Sequence, residues 1–189
     1  MFVKDKIPKF LERSQVKKLI EDVPENSFSQ HRDKLVIKLM VYTGLRVSEA
    51  LSLKYSDVIM DRRVIRVIGK GNKEREIPVS TECMKVIEEL KRISWGANDG
   101  CLVVNKSGRK LSSRYLQMII KKCSERIFGK ARAITPHVLR HTFASTLRQN
   151  GAPIEMIQRL LGHRSIVTTC IYLHIPGKDE REQLEALTY

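Results

Sequence analysis

A guanidinium at the start of a helix is a ready anion site, and Thr43-Gly44-Leu45-Arg46-Val47-Ser48-Glu49 places Arg46 there. Backbone amides at a helix N-terminus already favour negative charge. Glu49 follows three residues on, on the same helical face, where its carboxylate can orient the guanidinium. A second cationic group lies in Pro136-His137-Val138-Leu139-Arg140-His141. His137 and Arg140 share a face, His141 joins them at four residues from His137, and Leu139 points elsewhere. A guanidinium beside an imidazole binds a phosphate and handles a proton. His163 stands just past a helix end at Leu160-Leu161-Gly162, and nine residues later comes Tyr172. Taken singly, each has a plainer reading. Arg46 and Glu49 would be a surface ion pair worth little, the His137/Arg140 face a solvated basic surface, and a lone tyrosine a packing residue.

The elements that must position these residues follow from apolar periodicity. Ser14 caps a short helix ending near Pro24, and residues 31–42 carry Leu35, Val36, Leu39, Met40 and Tyr42 at helical spacing up to Gly44. A further helix starts at once, with Val47, Ala50, Leu51 and Leu53 on its apolar side. Then Val58-Ile59, Val64-Ile65-Arg66-Val67-Ile68 and Arg75-Glu76-Ile77-Pro78-Val79 read as three short antiparallel strands. Gly69-Lys70-Gly71-Asn72-Lys73 is the loop joining the last two. Ser80 caps a helix running past Ile93, Cys101–Val104 is an extended segment, and residues 113–127 form a basic amphipathic helix. Thr135-Pro136 opens the next helix, which runs to Asn150-Gly151. Pro153 starts a short helix ending at Leu161-Gly162, and a last helical pair covers 165–173 and 178–187. The fold class is therefore mostly α with a small three-stranded antiparallel β-sheet.

Composition narrows the class of partner. With 189 residues, 42% of them hydrophobic, the chain is long enough for one core without disulfides or metals. Thirty-five Lys and Arg against 21 Asp and Glu give +14, the balance of a protein with a polyanionic partner. Between Lys106 and Arg132 nine basic residues face one acid, Glu125, which favours contact with a phosphate backbone. No apolar run reaches a membrane-spanning length, and the first residues are not a signal peptide. Cys83, Cys101, Cys123 and Cys170 show no metal-ligand spacing and read as reduced thiols of a cytoplasmic protein, so no metal is expected.

It is the order of the groups that is specific: Arg46, Lys70, His137, Arg140, His163, Tyr172. With TGLRxSE, GKGNKxR, HxLRHTFA and LGH around them, the chain closely resembles the tyrosine recombinases, or phage integrases, and particularly their Xer-like members. The resemblance runs from about residue 10 to about residue 175. It implies the tyrosine recombinase catalytic-domain fold over 1–189, with about 178–188 as a C-terminal tail helix. The N-terminal core-binding domain usual in the family is expected to be absent from this chain.

The resemblance also implies roles. Tyr172 would be the nucleophile of a 3′-phosphotyrosyl exchange, Arg46 and Arg140 the phosphate clamp, and His137 the base. Lys70, rather than Lys73, would be the acid for the leaving 5′ oxygen, and His163 a phosphate ligand. Glu49 and His141 would support them from behind. Double-stranded DNA is the expected partner, gripped by Lys73, Arg109, Lys110, Arg114, Lys121, Lys122 and Arg126, with self-association into a tetramer on DNA and no membrane role. The phosphotyrosyl bond conserves the phosphodiester's energy and the cations neutralise charge, so neither ATP nor any other cofactor is expected. Two rivals are a type IB topoisomerase-like nicking-closing enzyme and a DNA-binding regulator without strand exchange.

Overall fold

The computed structural model describes residues 10–69, 71, 73–94, 100–130 and 134–175. Its helices are α1 (Arg13–Asp22), α2 (Phe28–Thr43), α3 (Val47–Ser52), α4 (Thr81–Ile93), α5 (Ser113–Phe128), α6 (Pro136–Gln149) and α7 (Ile154–Leu161), with strands β1 (Val58–Ile59), β2 (Val64–Ile68) and β3 (Glu74–Pro78) between α3 and α4.

Helix α2 is the central post. Leu35, Val36, Ile37, Leu39 and Met40 are all buried, more than one face's worth, because α2 packs against α4, α6 and α5 together. Its first turn is fixed by Ser27, whose hydroxyl accepts from the Gln30 amide, so the helix begins earlier than the apolar pattern alone indicates. It stops at Gly44, at φ 64°, and a Cβ there would meet the Phe143 ring at 2.4 Å. Glycine is required at this point twice over, for the left-handed turn and for the approach of α6. That turn delivers the chain directly to Arg46.

The sheet is antiparallel in the order β1-β2-β3, with Ile65 opposite Ile77 and Val67 opposite Arg75. Ile65, Val67 and Ile77 face the core. Since cross-strand partners share a face, Arg75 also points inward. Helices α6 and α7 enclose a small second cluster of Ala144, Ile157, Leu161, Tyr172 and Ile175, apart from the main core.

Three local expectations are revised. The cap of α1 is Glu12, paired reciprocally with Gln15, rather than Ser14. Cys101–Val104 forms only isolated bridges, Lys54 with Cys101 and Val104 with Lys110. Residues 166–168 and 170–172 are single 3-10 turns instead of an α-helix. The sequence there, Ile166-Val167-Thr168-Thr169, is rich in β-branched residues, which lose χ1 freedom in α-helices. The proposed tail helix of about 178–188 and the lysine of the hairpin loop, Lys70, lie outside the described residues.

Candidate active site

Arg46 is the N-cap of α3, and its neighbour in space is Glu49 of the first turn. Glu49 accepts from the Arg46 backbone amide at 2.9 Å and from Arg46 Nη1 at 2.9 Å. Arg75, reaching inward from β3, donates to the same carboxylate with both terminal nitrogens, at 3.0 and 2.9 Å. Arg140 of α6 lies 3.9 Å from it. Burial works to raise the Glu49 pKa, but the hydrogen bonds from Arg75 and Arg46 win and hold it at about 2. Three guanidinium groups are thus gathered on one buried carboxylate, leaving a net cationic site with room for an anion.

Arg140 is itself 7% exposed. It donates to the carbonyls of Gly44, at 2.8 Å, and Leu161. These are orphan carbonyls at the C-terminal ends of α2 and α7, where the helix dipole favours a cation. Burial first, then the nearby Arg46, lower its pKa to about 10.

His137 is exposed, one turn before Arg140 on α6. It lines a cleft of about 720 Å³ together with Arg46, Arg140, Ser48, Gln117 and Lys121. His141, one turn further along α6, is half-buried and does not line the cleft. Its Nδ1 lies 2.6 Å from the Tyr172 hydroxyl. Tyr172 is 1% exposed and absent from the cleft lining, with its ring in the second cluster. Burial raises its pKa to about 12, and burial likewise lowers that of His141, so the pair is neutral phenol and neutral imidazole near pH 7. His163 stands beyond the left-handed turn at Gly162 (φ 65°), with Nδ1 3.0 Å from the hydroxyl of buried Thr169. Burial, then Arg140 and Arg46, lower its pKa to about 4.

The structure therefore brings Arg46, His137 and Arg140 to one cleft. Glu49 lies behind the arginines, while Tyr172, outside the cleft lining, is held against His141 one helix turn from His137. Of the basic residues expected on DNA, Lys121 lines the cleft and lies 3.7 Å from Glu125. Lys73, Arg109, Lys110, Arg114 and Lys122 are exposed. Arg126 is exposed too but is held by Asp22 at 2.6 Å. Arg75 was not among the expected residues, although its period-two phase with Ile77 and Val79 marks it as inward-facing.

The domain is mostly helical with a small antiparallel sheet, and its cleft is lined by Arg46, Arg140 and His137, with Arg75 behind it on Glu49. The chain belongs to the phage integrase family, whose sequence profile matches residues 9–178. It is 39% identical over 184 residues to tyrosine recombinase XerC of Thermodesulfovibrio yellowstonii, covering 93% of this chain and 61% of that protein. The crystal structure of XerA recombinase superposes with a TM-score of 0.79 at 32% identity, covering 98% of this chain and 67% of that one. A pre-cleavage complex of XerH recombinase on its difH substrate gives a TM-score of 0.79 at 26% identity, covering 98% and 56%. The chain thus spans about three fifths of the length of the XerC protein it matches.

Proposed function

We propose that this chain is the catalytic domain of a site-specific DNA recombinase that cleaves and rejoins double-stranded DNA through a 3′-phosphotyrosyl bond. The observation that carries this reading is the convergence of Arg46, Arg140 and His137 on one cleft, with the Tyr172 hydroxyl one helix turn away behind them. XerH, which resembles this chain, is bound to DNA in its crystal structure, and the +14 charge here is of the matching sign.

In this mechanism Arg46 and Arg140 hold the non-bridging oxygens and stabilise the charge of the transition state. The Tyr172 oxygen attacks phosphorus, the bond from phosphorus to the 5′ oxygen breaks, and the phenol proton passes to His137. Lys70 gives its proton to the departing 5′ oxygen, and His163 hydrogen-bonds the phosphate. His141 acts earlier, holding the phenol in its buried resting place. Attack requires the 166–175 segment to release Tyr172 into the cleft. Lys73, Arg109, Lys110, Arg114, Lys121 and Lys122 would grip the DNA backbone, with Arg126 freed only at the cost of its bond to Asp22. The working form on DNA is a tetramer in the cytoplasm, assembled through the tail. Deleting 178–189 should weaken multimer formation on DNA more than binding to one site, and unchanged multimers in gel shifts would remove the tail from the assembly.

The decisive experiment captures DNA covalently. Nicked duplexes with a randomised arm are incubated with the wild-type chain, and detergent-resistant adducts are sequenced and retested singly. The wild type should form adducts and Tyr172→Phe none, with DNA binding retained. An adduct that maps to Tyr115, or that survives in Tyr172→Phe, would sink the assignment.

A further inference from the structure

Arg75 belongs to neither cleft nor nucleophile, yet it touches every part that frames them. It is the one charged residue in phase with Ile77 and Val79 on the inner face of β3, and its side chain is 9% exposed. Burying a guanidinium is costly unless each donor is used. Here they are. Nη1 and Nη2 fork onto the two oxygens of Glu49, and Nε donates to the Leu160 carbonyl at 2.9 Å. The next carbonyl, Leu161, goes to Arg140. The open end of α7 is therefore closed by two arginines, one from the sheet and one from the clamp.

The close packing around Arg75 leaves no slack. A Cβ on Gly162 would stand 3.0 Å from Arg75 Cδ and 3.1 Å from Nε, and a Cβ on Gly69 3.3 Å from Nη1. Gly162 begins the turn that carries His163. Gly69 closes the base of the hairpin loop through its amide on the Lys73 carbonyl, at 2.8 Å. One planar side chain thus spans the hairpin base, the Glu49 carboxylate that aims Arg46, and the helix end that leads to His163.

We propose that Arg75 is a positioning residue that locks the hairpin base, the arginine clamp and the His163 turn into one unit, so that the clamp is aimed before DNA arrives. The inference rests on the strand-transfer reading of the cleft. Arg75 adds no charge the site needs, since Arg46 and Arg140 already repel each other across Glu49. Its contribution is geometry, and a lysine, with a single ammonium, cannot span Glu49 and Leu160 in one plane.

The test compares wild type, Arg75→Lys and Arg75→Gln on one suicide duplex recovered by the covalent capture described above, made with either a phosphodiester or a methylphosphonate at the cleavage point. A methylphosphonate carries no charge and so has little need of an aimed clamp. Both variants should cleave the phosphodiester about 10- to 100-fold more slowly, the range for groups that orient other ligands. Half-saturation for DNA should stay unchanged, and the deficit should shrink to about threefold or less on the methylphosphonate. Wild-type rates on the phosphodiester, or equal losses on both linkages, would overturn the proposal and leave Arg75 a structural ion pair. Amide hydrogen exchange on the free proteins decides the same point without DNA, even for a chain that forms no adduct. Exchange at Gly69, Ala50 and His163 should rise together in the variants while the α2 amides stay protected. A rise confined to β3, or spread over the whole molecule, would refute the coupling.

Discussion

Replacing His141 by Ala should loosen Tyr172, and a double-mutant cycle with Tyr172→Phe measures by how much. The phenol is 1% exposed, so when its partner at 2.6 Å is removed the hydroxyl is left without a described acceptor in an apolar cluster. An unsatisfied buried hydroxyl costs about 1–3 kcal/mol. Truncating the imidazole also leaves a cavity, but that cost is common to both backgrounds and cancels in the cycle. In the Tyr172→Phe background there is no hydroxyl to strand. The coupling energy should therefore be about 1–2 kcal/mol, which for a chain of this size is a Tm difference of roughly 2–8 °C. Burial raises the phenol and lowers the imidazole, so both partners are neutral at and above about pH 7 and the coupling should not change between about pH 7 and 8.

The same energy would govern release of Tyr172 as the proposed nucleophile. If the hydrogen bond holds Tyr172 in its resting place, losing it raises the exposed population about 5- to 30-fold. Nitration of Tyr172 by tetranitromethane, followed by peptide mapping, should accelerate by that factor in His141→Ala, while Tyr115, bonded to Asp33 at 2.9 Å, keeps its rate. Additivity within about 0.5 kcal/mol, together with unchanged nitration, would show that His141 and Tyr172 are neighbours without a functional bond.

Arg46→Lys and Arg140→Lys should each lose DNA cleavage by about 100-fold or more, since removing one oxyanion donor typically costs about 3 kcal/mol; wild-type adduct rates would mean these arginines only position DNA. Arg140→Ala should also unfold more easily, by about 3 kcal/mol in urea titrations, because the Gly44 and Leu161 carbonyls lose their donor. If Lys70 is the acid, Lys70→Ala should regain cleavage on a duplex with sulfur at the 5′-bridging position, as a thiolate leaves without a proton; rescue of Lys73→Ala instead would move the role along the hairpin. Glu49 has a folded-state pKa of about 2 against 4.5 unfolded, so its contribution is complete above about pH 4.5 and is lost as pH falls toward 2. That is roughly 3 kcal/mol of acid-sensitive stability. Glu49→Gln should flatten this part of the urea-midpoint profile, and an identical acid limb in the variant would assign it elsewhere.

Most of the scaffold was legible because it rests on local signals. Gly44 marks a left-handed helix end, Ser80 caps α4, Pro136 opens α6, and the β-branched runs give the three strands in their observed order. Apolar spacing over so few residues does not separate a period of 3.0 from 3.6, so the 3-10 turns before and at Tyr172 look like a helix in the sequence. Within the site, pairs on one helix, such as Arg46 with Glu49, follow from spacing. Pairs between elements do not. Nothing local brings His141 to a tyrosine 31 residues away, or ties Arg126 to Asp22 across 104 residues, which sets a candidate DNA contact into an ion pair. Arg75 left one trace, a charge in an inward strand position, and its meaning depends on Glu49 and Leu160, which are supplied by two other elements.

The least expected contact in the site sets the state of His163. A neutral imidazole carries one ring proton, and with its pKa lowered to about 4, first by burial and then by the arginines, His163 is neutral at working pH. It donates to a phosphate only if that proton is on Nε2. Thr169, fully buried, decides this: when its hydroxyl donates to Nδ1 at 3.0 Å, the ring proton is driven to Nε2. The Thr169 carbonyl also accepts from the Tyr172 amide at 3.0 Å, so one residue orients the His163 ring and begins the turn that carries Tyr172. Thr169→Val keeps the shape and the carbonyl but removes the hydroxyl. The proton is then free to settle on Nδ1, turning Nε2 into an acceptor that repels the phosphate. A net hydrogen bond to a charged group is worth about 1.5–3 kcal/mol, so adduct formation should fall by about 10- to 150-fold with little change in Tm. Thr169→Ser, which restores the hydroxyl, should recover most of it. A Val variant as fast as wild type would mean that His163 reaches the phosphate in either tautomer, or does not reach it at all.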